Sequence, residues 1–208
     1  MQTAVIIPLR SLHDGKRRLS GVLSPEERTM LVQRLFARTY QALRSVSRIE
    51  QVWVVSPDPE LLAWTARFDA LPIVQPGEGL NAGLEYARRV VLARREARSL
   101  LVMLPDLPLI TTADVAAIVE LAADDTVVLA PDRHGRGTNA LLVPAAHTLP
   151  FCFGVDSLRQ HQAAAEALRL TIQMYRAPGT AFDLDIAEEV WLMEDLAGPA
   201  PPWDHRSR

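Results

Sequence analysis

The chain reads as an α/β protein: a single-domain, three-layer sandwich with a mixed, mostly parallel sheet. Three observations predict this class. Short β-branched apolar runs alternate with longer amphipathic segments along most of the 208 residues, the pattern of strands linked by covering helices. The run from Leu100 to Leu104 is apolar at every position, as expected of a central parallel strand covered on both faces. The length suits one core, since chains divide into domains beyond roughly 250 residues.

The elements follow in order. Ala4-Val5-Ile6-Ile7, stopped by Pro8, is a buried strand. Ser24 caps the next helix, with Pro25 at its first position and Glu27 completing a capping box; Leu31, Leu35, Phe36, Tyr40 and Leu43 form its apolar stripe. Val52 to Val55 is the second strand, and Asp58 caps a helix begun by Pro59. Leu71 to Val74 is a short third strand, and a long helix follows Gly79 through about Arg98. After the Leu100–Leu104 strand, Thr111 caps a helix with Asp114 at its third position. Thr126–Ala130 and Asn139–Val143 form a hairpin-like pair, which predicts some antiparallel pairing. A helix over Ser157–Leu168, a strand over Thr171–Tyr175 and a last helix after Asp185 complete the domain, 1–197. The Pro- and Gly-rich stretch 198–208 is expected to be a mobile tail.

Hydrophobic residues make up 49% and charged residues 23%, ordinary for a soluble globular chain. A net charge of −3 argues against a nucleic-acid partner, whose binding domains are usually basic. The one cysteine, Cys152, excludes an intrachain disulfide and a Cys-rich zinc site. No signal peptide is visible and no apolar stretch approaches the ~20 residues of a membrane span, so a cytoplasmic protein without membrane association is expected.

Ligands of such sheets bind beyond the carboxyl ends of the strands. The loops there are 8–19, 56–59, 105–108 and 131–138. Of the 22 basic side chains only Lys16 is a lysine, and it stands with Arg10, Arg17 and Arg18 in the loop after the first strand. A lysine is a compact point charge suited to one phosphate oxygen, where an arginine offers a planar fork; a solvated basic loop is the alternative. Asp106 lies between Pro105 and Pro108, which hold the backbone extended and aim the carboxylate, although an aspartate there also serves as a turn former. Asp183 and Asp185 alternate, so in an extended segment they point to one side; Asp185 is equally placed to cap the helix after it. These hard oxygen donors suit Mg²⁺, which takes one or two carboxylates together with substrate phosphates. Gly135-Arg136-Gly137-Thr138-Asn139 offers backbone N–H groups and a hydroxyl to an anion. Gly154 and Ser157 flank a helix start, another natural anion site, where Ser157 also fits as an N-cap. Neither a Walker A loop nor a GxGxxG fingerprint occurs. The five histidines show no metal-ligand spacing and most read as surface or capping residues, and Cys152 between two phenylalanines reads as a small core residue.

The same strings resemble a known family. Ala4 to Arg10, Gly15-Lys16-Arg17-Arg18-Leu19 and Leu23-Ser24-Pro25-Glu26-Glu27-Arg28 are similar to the opening of the 2-phospholactate/phosphoenolpyruvate guanylyltransferases of coenzyme F420 biosynthesis. The resemblance continues through Val54–Pro59, Gly79–Ala82, Leu104–Leu109, Ala130–Leu142, Phe151–Ser157 and Asp183–Asp185. It implies a nucleotidyltransferase fold related to glycosyltransferase-A. It also implies transfer of GMP from GTP to the phosphate of a small three-carbon acid with release of pyrophosphate, and, by analogy, a homodimer.

By matching position, the resemblance places Mg²⁺ on Asp106, Asp183 and Asp185. Thr138, Gly154 and Ser157 would bind the phosphorylated acid. Pro8, Leu9, Lys16 and Arg18 would line the triphosphate side, with Lys16 and Arg18 facing the departing pyrophosphate, and Ser56, Asp58 and Asn81 would meet the nucleoside. Phosphoenolpyruvate is the first expectation for the acid, ahead of 2-phospho-L-lactate and 3-phosphoglycerate. One departure is Cys152, where a basic residue is expected. The alternatives are a nucleotidyltransferase acting on a sugar phosphate or on the molybdenum cofactor, and a nucleotide-binding protein without catalysis.

Overall fold

The apolar runs form seven strands of one sheet in a computed structural model that describes residues 2–11 and 19–184. In chain order the elements are β1 (Thr3–Pro8), α1 (Pro25–Arg44), β2 (Ile49–Ser56), α2 (Pro59–Thr65), β3 (Leu71–Val74), α3 (Leu80–Leu92), β4 (Ser99–Met103), α4 (Thr112–Glu120), β5 (Thr126–Pro131), β6 (Thr138–Pro144), α5 (Ser157–Ala167), β7 (Thr171–Met174) and α6 (Pro178–Ala181). The expected last helix, the tail, and the site candidates Lys16, Arg18 and Asp185 lie outside the described residues.

The strand order is β3-β2-β1-β4-β6-β5-β7. β6 runs antiparallel to both β4 and β5, and the other pairs are parallel. The predicted mixed sheet is therefore present, with one reversed strand inserted between β4 and β5. The two-residue period of each strand sorts its side chains. Val5, Ile7, Val52, Val54, Leu101 and Met103 pack under α1, α2 and α4, whereas Ala4, Ile6, Trp53, Val55, Leu100 and Val102 pack under α3 and α5. That alternation produces the three layers.

The predicted caps hold. Ser24 and Glu27 exchange both capping-box hydrogen bonds, Asp58 accepts from the Glu60 and Leu61 amides, and Thr111 pairs reciprocally with Asp114. One boundary differs from expectation: α3 ends at Leu92 rather than near Arg98. The residues after Leu92 are good helix formers, but Arg95 turns left-handed at φ 58° and Arg98 already donates to the Gln2 carbonyl at 3.0 Å. The chain must reverse in time to enter β4, and tertiary pairing overrides local propensity.

Candidate active site

The strand order reverses direction between β1 and β4, so their carboxyl ends diverge there into a crevice. A cavity of about 130 Å³ lies at this point, lined by Pro8, Leu9, Arg10, Ser11, Val32, Leu35, Pro105 and Asp106. Pro8, Leu9 and Asp106, far apart in sequence, line this one cavity. The wall carrying Arg10 and Ser11 is held from β2. Ser56 Oγ donates to the Arg10 carbonyl at 3.4 Å, and Ser11 Oγ donates to Asp58 Oδ2 at 3.0 Å. Ser56 and Asp58 thus brace the loop after β1, Asp58 while also capping α2.

Asp183 reaches the same edge from the far end of the sheet. The Leu184 amide donates to the Asp106 carbonyl at 3.1 Å, and the Leu184 side chain is fully buried against Leu19, Leu31 and Leu35. Two carboxylate-bearing segments distant in sequence are therefore fastened together. α6 sets the approach. Asn139 Nδ2 donates to the Thr180 carbonyl at 3.0 Å, and Gly179 lies so close to Asp114 that an added Cβ would stand 2.2 Å from its Oδ2. Asp114 in turn accepts from the Tyr175 hydroxyl at 2.8 Å. Burial, then that carboxylate, pushes the Tyr175 pKa up to about 12, so the phenol keeps its proton and its donor role. Among the described residues no group of three His, Cys, Asp or Glu side chains forms a metal cage. Asp106 and Asp183 nonetheless fit Mg²⁺ by chemistry, because that ion uses one or two carboxylates and leaves its other positions to phosphate and water.

The second half of the site lies around β6. Being antiparallel, β6 starts at the edge where its neighbours end, and this brings its first residue, Thr138, to the functional edge. Opposite it, the extended segment Leu149–Phe153 leads to Gly154 (φ 128°) and the first turn of α5, where Ser157 is 1% exposed. Side chains hold this segment through its main chain. The Phe151 amide donates to Glu85 Oε1 at 3.1 Å, the Cys152 amide to His161 Nε2 at 2.9 Å, and the Phe153 amide to Asn81 Oδ1 at 2.8 Å. Asn81 Nδ2 also donates to the Phe153 carbonyl at 3.0 Å, and Arg88 donates to the Leu149 carbonyl while its guanidinium covers the Phe151 ring. Asn81, Glu85 and Arg88 stand at i, i+4 and i+7, one face of α3, and bind alternate residues of an extended strip. Burial lowers the Arg88 pKa, and the charge of Glu85, 3.3 Å away, acts against that shift.

Two of these roles are not marked in the sequence. Asn81, expected at the nucleoside, gives both ends of its amide to the Phe153 main chain. His161 is completely buried, an exception to the surface or capping role expected of most of the histidines. Its Nδ1 lies 3.0 Å from Thr138 Oγ1, and its ring meets Phe153 edge-on at 4.9 Å. The available signal was its place four residues after Ser157, on the same face of α5. Cys152 is partly exposed, with its Sγ directed at the Pro150 carbonyl, rather than a core residue.

The chain matches known proteins along nearly its whole length. Residues 3–195 match the family described as guanylyl transferase CofC like. The chain is 40% identical over 201 residues to a phosphoenolpyruvate guanylyltransferase of Sphaerobacter thermophilus, covering 97% of this chain and 95% of that protein. It is 39% identical to the one from Rubrobacter xylanophilus, covering 95% and 96%. The fold is similar to that of a Methanothermobacter nucleotidyl transferase, with a TM-score of 0.71 at 15% identity over 93% and 96% of the two chains. It is also similar to 4-diphosphocytidyl-2C-methyl-D-erythritol synthase, with a TM-score of 0.67 at 12% identity over 94% and 97%. A crevice at the strand reversal, a bound pair of carboxylate segments and a family match across nearly the whole length agree: the chain belongs to the guanylyl transferase CofC-like family, a family of guanylyltransferases.

Proposed function

We propose that the protein transfers GMP from GTP to the phosphate of phosphoenolpyruvate, releasing pyrophosphate, as a step of coenzyme F420 biosynthesis. The observation that carries this reading is the fastening of the Asp183 segment to Asp106 beside the cavity at the β1–β4 crevice. The names of the relatives support guanylyl transfer to this acid. An oxygen of the acceptor phosphate attacks the α-phosphorus, and the bond to the bridging oxygen of the β-phosphate breaks. No strong general base is needed, because the second pKa of a phosphate is about 6 and the nucleophile is already ionised. Alignment and charge neutralisation then account for the catalysis.

Asp106, Asp183 and Asp185 would hold Mg²⁺, which when bound supplies positive charge to the phosphates. Thr138, Gly154 and Ser157 would receive the acid, and Lys16 and Arg18 the departing pyrophosphate. Pro8 and Leu9 would line the triphosphate side. Pyrophosphate release measured with four nucleoside triphosphates against phosphoenolpyruvate, 2-phospho-L-lactate and 3-phosphoglycerate tests the reading. Turnover should require GTP and be fastest with phosphoenolpyruvate. Absence of turnover with GTP and any of the three acids would sink it.

A further inference from the structure

His161 is a buried side chain that the proposed reaction leaves without a part, yet it contacts Thr138 and the strip that leads to Gly154. Its Nδ1 meets Thr138 Oγ1 at 3.0 Å, its Nε2 accepts the Cys152 amide at 2.9 Å, and its ring supports Phe153, the residue before Gly154. Ser157 lies one turn earlier on the same helix.

The two hydrogen bonds together fix the protonation of the ring. A backbone N–H can only donate, so Nε2 must present its lone pair to Cys152. Burial keeps the imidazole neutral at ordinary pH, lowering its pKa to about 4. The single ring proton therefore sits on Nδ1 and is donated to Thr138 Oγ1. The Thr138 hydroxyl, 2% exposed and already accepting from His161, keeps its own proton for a further acceptor. A threonine held in this way offers a donor to an anion.

We propose that His161 is a positioning residue of the acid site: through one fixed tautomer it turns the Thr138 hydroxyl into an oriented donor for the phosphate or carboxylate of the acceptor, and it sets the main chain leading to Gly154. The inference rests on the assignment of Thr138, Gly154 and Ser157 to the acid. It concerns binding geometry; His161 exchanges no proton with substrate.

Amide side chains separate the two functions of the ring. In His161→Asn the amide stands where Nδ1 was and keeps the donor to Thr138. In His161→Gln it stands where Nε2 was and keeps the acceptor for Cys152. His161→Leu keeps bulk and loses both. With GTP and phosphoenolpyruvate as substrates, the Leu variant should raise KM for the acid by about tenfold or more, the scale of one lost hydrogen bond to a charged group. KM for GTP should stay within about twofold of the parent, and the Asn and Gln variants should each recover part of the loss.

Equal KM values for the acid in the Asn, Gln and Leu variants would overturn the proposal, since only shape would then matter. A Thr138→Val background supplies the second test. There the advantage of Asn over Leu should vanish; an advantage that persists shows that His161 does not act through Thr138, and overturns the proposal by itself. If the His161→Leu substitution prevents folding, the Asn and Gln variants carry the same comparison against the parent. Thr138→Val with an unchanged KM for the acid is a different result: it removes Thr138 from the acid site and so defeats the underlying assignment.

Discussion

The Leu184 amide donates to the carbonyl of Asp106 at 3.1 Å, joining the end of the described chain to the loop after the central strand β4. Leu184 is fully buried in a small cluster with Leu19, Leu31 and Leu35, so the joint is anchored on both its polar and apolar sides. Asp183, one residue earlier, is thereby carried to the edge where Asp106 lies. Asp106→Asn and Asp183→Asn should each lower turnover on the order of 10²-fold or more, since each removes a charge from the proposed Mg²⁺ site. Circular dichroism should remain that of the parent. Near-normal pyrophosphate release in either variant would take that residue out of the metal site.

Gly179→Ala should destabilise the protein and slow it together. An added Cβ would stand 2.2 Å from Asp114 Oδ2 and 3.0 Å from the Leu109 carbonyl oxygen, so α6 must move off α4. Forced repacking of this kind costs about 1–3 kcal/mol, read as a lower urea midpoint. Because α6 leads directly to Asp183, kcat should fall as well. Unchanged stability would mean that α6 shifts at little cost.

Asn81→Ala should weaken acid binding from a distance. The amide side chain satisfies both the N–H and the C=O of Phe153, and leaving such buried groups unpaired costs about 1–3 kcal/mol. The segment ahead of Gly154 would loosen, so KM for the acid should rise more than KM for GTP. The reverse ranking would return Asn81 to the nucleoside side, as expected from the sequence.

Acid should destabilise the fold through His161. Its folded pKa is about 4 against the ordinary 6.5, the consequence of burial. Between these values the unfolded chain binds a proton that the folded protein excludes. The contribution is therefore whole above pH ~6.5 and declines as pH falls through the window, by up to about 1.4 kcal/mol per pH unit. Carboxylates titrate nearby, so the readout is the difference in urea midpoints between parent and His161→Asn from pH 7 to 4. Parallel curves would show that His161 takes up its proton at the same pH in the folded and unfolded chains.

Lys16→Arg should fold normally and lose turnover. A forked guanidinium cannot take the place of a point charge on one phosphate oxygen. Full activity in this variant would make the retention of one lysine among 22 basic residues an accident.

The elements legible in the sequence were those set by short-range physics. Ser24, Asp58 and Thr111 cap their helices because a cap needs only a side-chain oxygen within a few residues of free amides. The end of α3 was misjudged because its last residues favour helix, while the demand to reverse comes from β4. The role of His161 is hidden for a related reason: nothing local marks a histidine whose partners are 9 and 23 positions away.

Strand period, helix period and capping act over a few residues, so the α/β class, the sorting of side chains to two faces and the residue types suited to phosphate are written locally along the chain. Which of those residues meet depends on the packing of the whole sheet. Inserting the reversed strand β6 between β4 and β5 brings Thr138 to the carboxyl edge, and the return of the chain through α6 ties Leu184, next to Asp183, to the Asp106 main chain. Both outcomes depend on strand order, which is settled by how the whole sheet buries its two faces.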